Sequence, residues 1–179
     1  MTLILSKKYN PLFDSKARYF IITGGRGSGK SFAVTVFLTL LTMSRGIRVL
    51  FTRFTMTSAH LSIIPEFLEK IGLLGFDETF SINKSEVVNA KNKSDILFRG
   101  IKTSAGNQTA SLKSLQGIST WVLDEAEELV DENIFDTIDL SIREKNIQNR
   151  VILILNPVTK EHWIYKRFFE DKGVEGGFN

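Results

Sequence analysis

The sequence predicts an α/β fold with a mostly parallel central sheet flanked by helices, and three observations carry that prediction. Short β-prone apolar runs alternate with segments of helical periodicity along the 179 residues. One run, Val151-Ile-Leu-Ile-Leu155, is apolar at every position, as suits a strand covered on both faces of a parallel sheet. A glycine-rich turn, Gly24–Gly29, separates the first strand-like run from the first helical one.

The elements follow in order. Tyr19-Phe-Ile-Ile-Thr23 is a short buried strand that stops at glycines. A helix begins near Lys30, with Ala33, Val36, Phe37, Leu40 and Leu41 on one face and Gly46 as its stop. Ile47-Arg-Val-Leu-Phe-Thr52 is the second strand. Thr57 or Ser58 caps a helix whose apolar residues are Leu61, Ile64 and Leu68, and Pro65 bends it or delays its start.

Three short strands at 79–82, 86–90 and 96–99, joined by Asn/Lys/Ser turns, predict a β-hairpin insertion near 79–99. Residues 103–113 read as a long polar loop. Trp121-Val-Leu123 is a strand that runs into acids, and Asp131 caps a helix through Ile134, Ile138 and Ile142. After the apolar strand 151–155, Lys160–Glu170 reads as a helix with Tyr165, Phe168 and Phe169 on one side. Residues 1–172 thus form one domain, and the glycine-rich 173–179 reads as a flexible tail or linker.

Composition narrows the chemistry. There is no cysteine, which excludes disulfides, thiolate metal sites and a cysteine nucleophile. The only imidazoles are His60 and His162, which argues against a zinc enzyme. No apolar run approaches membrane-spanning length, and the opening residues do not read as a signal peptide, so a soluble intracellular protein without membrane partners is expected. The net charge of +3 is uneven: residues 1–90 carry 11 basic against 6 acidic side chains, residues 91–179 carry 12 against 14. The first half favours an anionic partner, whether nucleotide or nucleic acid.

Gly24-Gly-Arg-Gly-Ser-Gly29-Lys30-Ser31 matches the phosphate-loop pattern G-x-x-x-x-G-K-[ST] at every fixed position, with a strand before it and a helix after it. Glycines let the backbone wrap a phosphate and turn successive N–H groups inward, and the helix start adds unpaired N–H groups. Gly24, Gly25, Arg26, Gly27, Ser28, Gly29, Lys30 and Ser31 are therefore the nucleotide-binding candidates. Lys30 reaches the β- and γ-phosphates, and the Ser31 hydroxyl ligates Mg²⁺. The dinucleotide fingerprint G-x-G-x-x-G fails, because its last position falls on Lys30 or Phe32.

Asp124 and Glu125 end an apolar strand. Asp124 is the type and place expected of the second Mg²⁺ ligand, and Glu125 of the general base that orients the attacking water. The plainer alternative is an acidic helix start favoured by the helix dipole. Phosphate-transferring kinases and GTPases do not usually place a glutamate directly after the metal aspartate, whereas hydrolysing motor ATPases do. Nine acids crowd residues 124–144, and most of them, including Glu127, Glu128, Asp131 and Asp136, read as a solvated helix face.

Asn156, before Pro157, closes the third strand at the end where parallel sheets meet ligands. It contacts the γ-phosphate or attacking water, or simply makes an Asn-Pro turn. Arg26 folds onto the γ-phosphate in cis, or lies on the surface. Arg53 is a weaker candidate at the same sheet edge, and Arg143 and Arg150 are candidates for a finger supplied to a neighbouring subunit, or surface residues.

Together these features resemble the ATPase domain of the tailed-bacteriophage terminase large subunits, the DNA-packaging motors. The resemblance rests on residues 24–31, Leu115-Gln-Gly117, Trp121-Val-Leu-Asp-Glu-Ala-Glu-Glu128, Leu155-Asn-Pro157 with His162-Trp163, and Tyr9-Asn-Pro-Leu-Phe13, and it runs from about Tyr9 to about Glu170. It implies a RecA-like (ASCE) P-loop NTPase fold and Mg²⁺-dependent ATP hydrolysis that drives double-stranded DNA into a procapsid. It also implies that Tyr9 lies beside the adenine, that Arg26 senses the γ-phosphate and that Asn156 couples hydrolysis to movement. The implied partners are DNA, further copies in a ring on the portal protein, and the small terminase subunit, in the host cytoplasm and transiently on the procapsid. The family's nuclease domain would start about where this sequence stops, so either the chain is a piece of a longer protein or its nuclease is encoded elsewhere, and no DNA cutting is expected of these residues.

Three rivals remain at this stage. A helicase or another RecA-like translocase fits the Asp-Glu-Ala-Glu string, but the chain has no second RecA-like domain and no late arginine-rich motif. A P-loop kinase needs an arginine-bearing lid, and 103–113 offers only Lys113. A non-enzymatic nucleotide-binding module is disfavoured because no catalytic motif is missing.

Overall fold

The structure, a computed structural model, describes residues 3–56, 61, 63–103, 106–107 and 109–174. Its strands are β1 (Tyr19–Thr23), β2 (Arg48–Thr55), β3 (Phe80–Ile82), β4 (Glu86–Asn89), β5 (Asp95–Thr103), β6 (Gly106–Asn107), β7 (Thr120–Asp124) and β8 (Arg150–Leu155). Its helices are α1 (Pro11–Asp14), α2 (Lys30–Leu41), α3 (Ile63–Leu73), α4 (Thr109–Lys113), α5 (Glu132–Asp139) and α6 (Trp163–Tyr165). No helix among the described residues is long and apolar enough to cross a membrane.

One sheet runs β1-β8-β7-β2-β5-β4-β3, with β6 paired to β5. The five strands β1, β8, β7, β2 and β5 are mutually parallel. The strand β8 thus lies between the strand that feeds the glycine loop and the strand that ends in acids, which is the RecA-like order. Apolar residues fill both faces. Leu12 of α1 packs with α2, α3 and the side chains of Val49, Phe51, Val122 and Ile152 on one face. On the other, α4, α5 and α6 cover Leu50, Trp121, Leu123, Val151 and Leu153. Successive residues of β7 and β8 therefore enter opposite cores, which is why these strands read as unbroken apolar runs.

The predicted hairpin is present as β3 and β4, joined antiparallel. The third segment does more than the sequence indicated: β5 pairs parallel with β2 and antiparallel with β4, so it is a central strand and the hairpin extends its edge. The turn after β4 also holds the far end of α2. Asn89 and Asn92 donate through Nδ2 to the Thr42 carbonyl, each at 3.1 Å, and Ser94 donates to the Ser44 carbonyl at 2.7 Å. These bonds satisfy carbonyls that a helix end leaves unpaired.

Other elements depart from expectation for physical reasons. In α2 the burial is not confined to one face: Val34 and Leu38 are fully buried and Leu40 is exposed, because α1 and α3 flank the helix. In α3 the buried face is Ile63, Ile64, Phe67 and Ile71, while Leu61 and Leu68 are exposed. Pro65 sits in the first turn of α3, where a missing N–H costs nothing. The proposed caps Thr57 and Ser58 lie outside the described residues. The polar stretch 103–113 contains β6 and α4. The last predicted helix is short: α6 is capped by His162 and passes into a π-helical turn, Lys166–Glu170. Arg167 anchors that turn to Glu132, at 3.0 Å, and to Asp136 of α5.

Candidate active site

The neighbouring parallel strands β1, β8, β7 and β2 end on one edge. Register pairs Thr23 with Leu155, Asp124 with Ile154 and Arg53 with Asp124, so the glycine loop, the acids, Asn156 and Arg53 emerge together. A buried hydrogen-bond chain fixes part of this register: Trp121 Nε1 donates to Thr52 Oγ1 at 2.9 Å, and Thr52 Oγ1 donates to the Val122 carbonyl at 3.0 Å.

The loop between β1 and α2 turns through two left-handed glycines, Gly27 at φ 74° and Gly29 at φ 82°, the second being the N-cap of α2. Side chains with a Cβ adopt that conformation at a cost. Lys30 is buried and folded onto the loop, donating to the carbonyls of Gly24 and, at 3.0 Å, Gly25. Its ammonium lies 3.5 Å from Asn156 Oδ1. The Tyr9 hydroxyl donates to the Ser28 carbonyl at 3.0 Å, pinning the N-terminal segment to the loop.

Opposite the loop, Asp124 is buried and ion-paired. Arg53 places Nε at 2.8 Å and Nη2 at 2.7 Å from Asp124 Oδ2, and Nε at 3.6 Å from Glu125 Oε2. Glu125 takes a left-handed backbone, φ 53°, a strained state for a residue with a Cβ and one that collects at functional sites. Burial pushes the Glu125 carboxyl above its ordinary value; Arg53 opposes the shift, and Asp124, Glu128 and Glu127 add to it. Burial disfavours the Arg53 charge, but Asp124 and then Glu125 outweigh burial and raise its pKa.

A cavity of about 340 Å³ joins these groups, lined by Arg26, Lys30, Ser31, Arg53, Asp124, Glu125, Glu127 and Asn156. A second cavity of about 560 Å³ flanks the loop and is more apolar, with Tyr9, Leu12, Tyr19, Phe20 and Ile22 in its wall. A polar cleft for phosphates beside an apolar one for a ring system suits a nucleotide.

Ser31 and Asp124 both line the first cavity, and no three His, Cys, Asp or Glu side chains among the described residues cluster to hold an ion by themselves. That donor set fits Mg²⁺, which takes one or two protein oxygens and completes its shell with phosphates and water.

All the predicted nucleotide and acid residues therefore meet, and two groups gain importance. Arg53, ranked as a weaker candidate, is the counter-charge of both acids. Glu127, read as solvated, accepts from Asn156 Nδ2 at 2.6 Å. Asp131 and Asp136 do lie on a solvated face: exposed Asp131 also caps α5 through the Asn133 N–H, as its position suggested, and the Asp136 side chain, 46% exposed, pairs with Arg167. An arginine at a strand end was visible in sequence, but its partner depended on strand register.

The trans candidates lie elsewhere. Arg143 lines a cleft with Gly117 and Ile118, at the amino end of β7, about 13 Å of strand away from Asp124. Arg150 starts β8 at the same end, half-buried over the Phe37 ring at 5.8 Å and donating to Gln148 Oε1 at 2.6 Å.

Residues 16–176 match the family described as phage terminase large subunit. No curated protein matches the chain. Among solved structures, the large terminase from a thermophilic bacteriophage superposes with a TM-score of 0.73 at 14% identity, over 95% of this chain and 43% of that one. The same thermophilic-phage protein in complex with ATP-γ-S gives a TM-score of 0.66 at 12% identity, over 93% and 41%. The N-terminal domain of the DNA packaging ATPase from bacteriophage phi29 gives 0.66 at 17% identity, over 96% of this chain and 89% of that one. The chain spans less than half of the thermophilic-phage terminase.

Proposed function

The chain belongs to the phage terminase large subunit family, and from that premise we propose that it hydrolyses ATP with Mg²⁺ to drive double-stranded viral DNA into a procapsid. One observation carries the catalytic half: Lys30, Ser31, Asp124, Glu125 and Asn156, drawn from three separate stretches of sequence, line a single cavity. The family and the likeness to the phi29 packaging ATPase domain support the packaging half.

In this reading the loop amides and Lys30 bind the β- and γ-phosphates, Arg26 approaches the γ-phosphate, and Tyr9 flanks the base. Ser31 and Asp124 would hold Mg²⁺, which would offset phosphate charge. Glu125 orients water and accepts its proton, a role that its upward-shifted pKa suits. Arg53 pairs with Asp124 and Glu125 and sets the charge balance of the two acids. Asn156 reports the γ-phosphate. Arg143, at the far end of the sheet, serves a neighbouring copy in a ring, where a finger supplies roughly 10³–10⁵ in rate. The portal protein and the small terminase subunit complete the assembly, and DNA cutting is not assigned to these residues.

Titration calorimetry with Mg·ATP, followed by phosphate release, tests the catalytic half. Lys30→Ala is expected to lose binding or turnover, and Glu125→Gln to bind and not hydrolyse. No heat on titration, or wild-type turnover in Glu125→Gln, overturns the assignment. DNA-stimulated turnover that falls with rising salt tests the nucleic-acid half.

A further inference from the structure

The chemistry above leaves Glu127 without a task, yet Glu127 is built into the site. Its Oε1 accepts from Asn156 Nδ2 at 2.6 Å. Its Oε2 is buried and has no hydrogen-bond partner. An acid kept for solubility or for the helix dipole turns both oxygens to water, so a half-dry carboxylate calls for another explanation.

The amide of Asn156 supplies it. An amide has a donor end and an acceptor end. Anchoring Nδ2 on Glu127 leaves Oδ1 toward Lys30, 3.5 Å from Nζ. On the other side, the Glu127 carbonyl meets His162 Nε2 at 3.2 Å. His162 Nδ1 accepts from the Ile164 N–H at 3.2 Å, which makes Nε2 the protonated nitrogen of the neutral ring and a donor to Glu127. That histidine is the cap of α6. Contacts therefore run without a gap from Lys30 through Asn156, Glu127 and His162 to α6.

We propose that Glu127 is a positioning residue, which fixes the Asn156 amide against Lys30 and transmits occupancy of the phosphate site to α6 through His162. The inference rests on the ATPase reading and names a residue to which that reading gives no role.

The test pairs kinetics with a spectroscopic readout. Glu127→Ala is expected to lower kcat roughly tenfold or more, a loss of the kind a misplaced group causes, with the Kd for Mg·ATP within about threefold of wild type. Glu127→Gln keeps an acceptor at Oε1 and is expected to recover most of the rate. Combined with Asn156→Ala, the losses are expected to be non-additive, because the two residues act through one contact. Glu127→Asp shortens the reach to Asn156 Nδ2 and must give the same signature should Glu127→Ala fail to fold.

The sequence has two histidines, so His60→Gln assigns the imidazole signals by nuclear magnetic resonance. A non-hydrolysable ATP analogue is expected to move the His162 signal in the wild type and not in Glu127→Ala. Wild-type kcat in Glu127→Ala, additive losses, or an equal His162 shift in that variant overturns the inference while the ATPase reading stands. A wild-type chain that neither binds nor hydrolyses Mg·ATP overturns both.

Discussion

Arg53→Ala is expected to destabilise the metal-free protein strongly, and Mg²⁺ is expected to restore part of the loss. Arg53 holds the buried Asp124 carboxylate through two nitrogens at 2.7 and 2.8 Å, with only 5% of the Asp124 side chain and 23% of its own exposed. Two unit charges about 4 Å apart interact by about 4 kcal/mol at an effective dielectric constant near 20. Removing one partner of a buried pair costs about 3–5 kcal/mol, because the remaining charge is left uncompensated. For a chain of this length each kcal/mol moves the melting midpoint by about 2–4 °C, so a drop of roughly 6–20 °C is expected in metal-free buffer. The assay is thermal unfolding of wild type and Arg53→Ala, each with and without Mg²⁺. With Asp124 in its proposed role as a Mg²⁺ ligand, the wild-type guanidinium would compete with the ion for that carboxylate, and in the variant nothing would. Mg²⁺ should therefore raise the variant's midpoint by more than it raises that of the wild type. Equal midpoints without metal, or equal gains with it, would refute the view that Arg53 is the resting counter-charge of the site.

Three further outcomes follow from the same contacts. Asp95 has its pKa raised by burial against the pull of Arg48, so its contribution to stability is present below its unfolded value of about 3.9 and lost as pH rises through the higher folded value. In urea unfolding, wild type should lose stability relative to Asp95→Asn as pH rises from about 4 to 7, and a constant gap would show the direction of the shift to be wrong. Thr52→Val leaves the buried Trp121 Nε1 without its acceptor and should cost about 1–3 kcal/mol in urea, while Thr52→Ser keeps the bond. Gly29→Ala forces a Cβ into φ 82°, at a cost of about 1–2 kcal/mol, and should weaken Mg·ATP binding by calorimetry; unchanged affinity would mean that the loop relaxes freely.

The parts of this site that were legible in the sequence are those whose chemistry is local. Residues 24–31 specify a loop, a helix start and three glycines at positive φ within one short stretch of chain, and the strand with its acids at 124–125 is equally self-contained. Strand periodicity located β1, β7 and β8 to within a residue; β7 and β8 are apolar throughout because both their faces are buried, while β1, at the edge of the sheet, is only partly buried. What the sequence did not reveal depends on register between strands distant in the chain. Arg53 meets Asp124 only because β2 pairs with β7, and β5 is central only because it pairs with β2. The helix faces of α2 and α3 were misjudged for a related reason, since which apolar residues are covered depends on neighbours that periodicity does not name.

The same division separates the two kinds of information in the site. Motif residues state which groups can act on a phosphate; register states what holds those groups while no phosphate is there. Lys30 rests on loop carbonyls, Asp124 and Glu125 rest on Arg53, and Asn156 rests on Glu127. Each resting partner is a group that binding must displace or realign, so the free energy of nucleotide binding is partly spent on breaking these contacts. Arg53 and Glu127 are therefore where binding and movement are expected to be adjustable separately: a change at Arg53 shifts the cost of loading the metal, and a change at Glu127 shifts what α6 senses once the site is loaded.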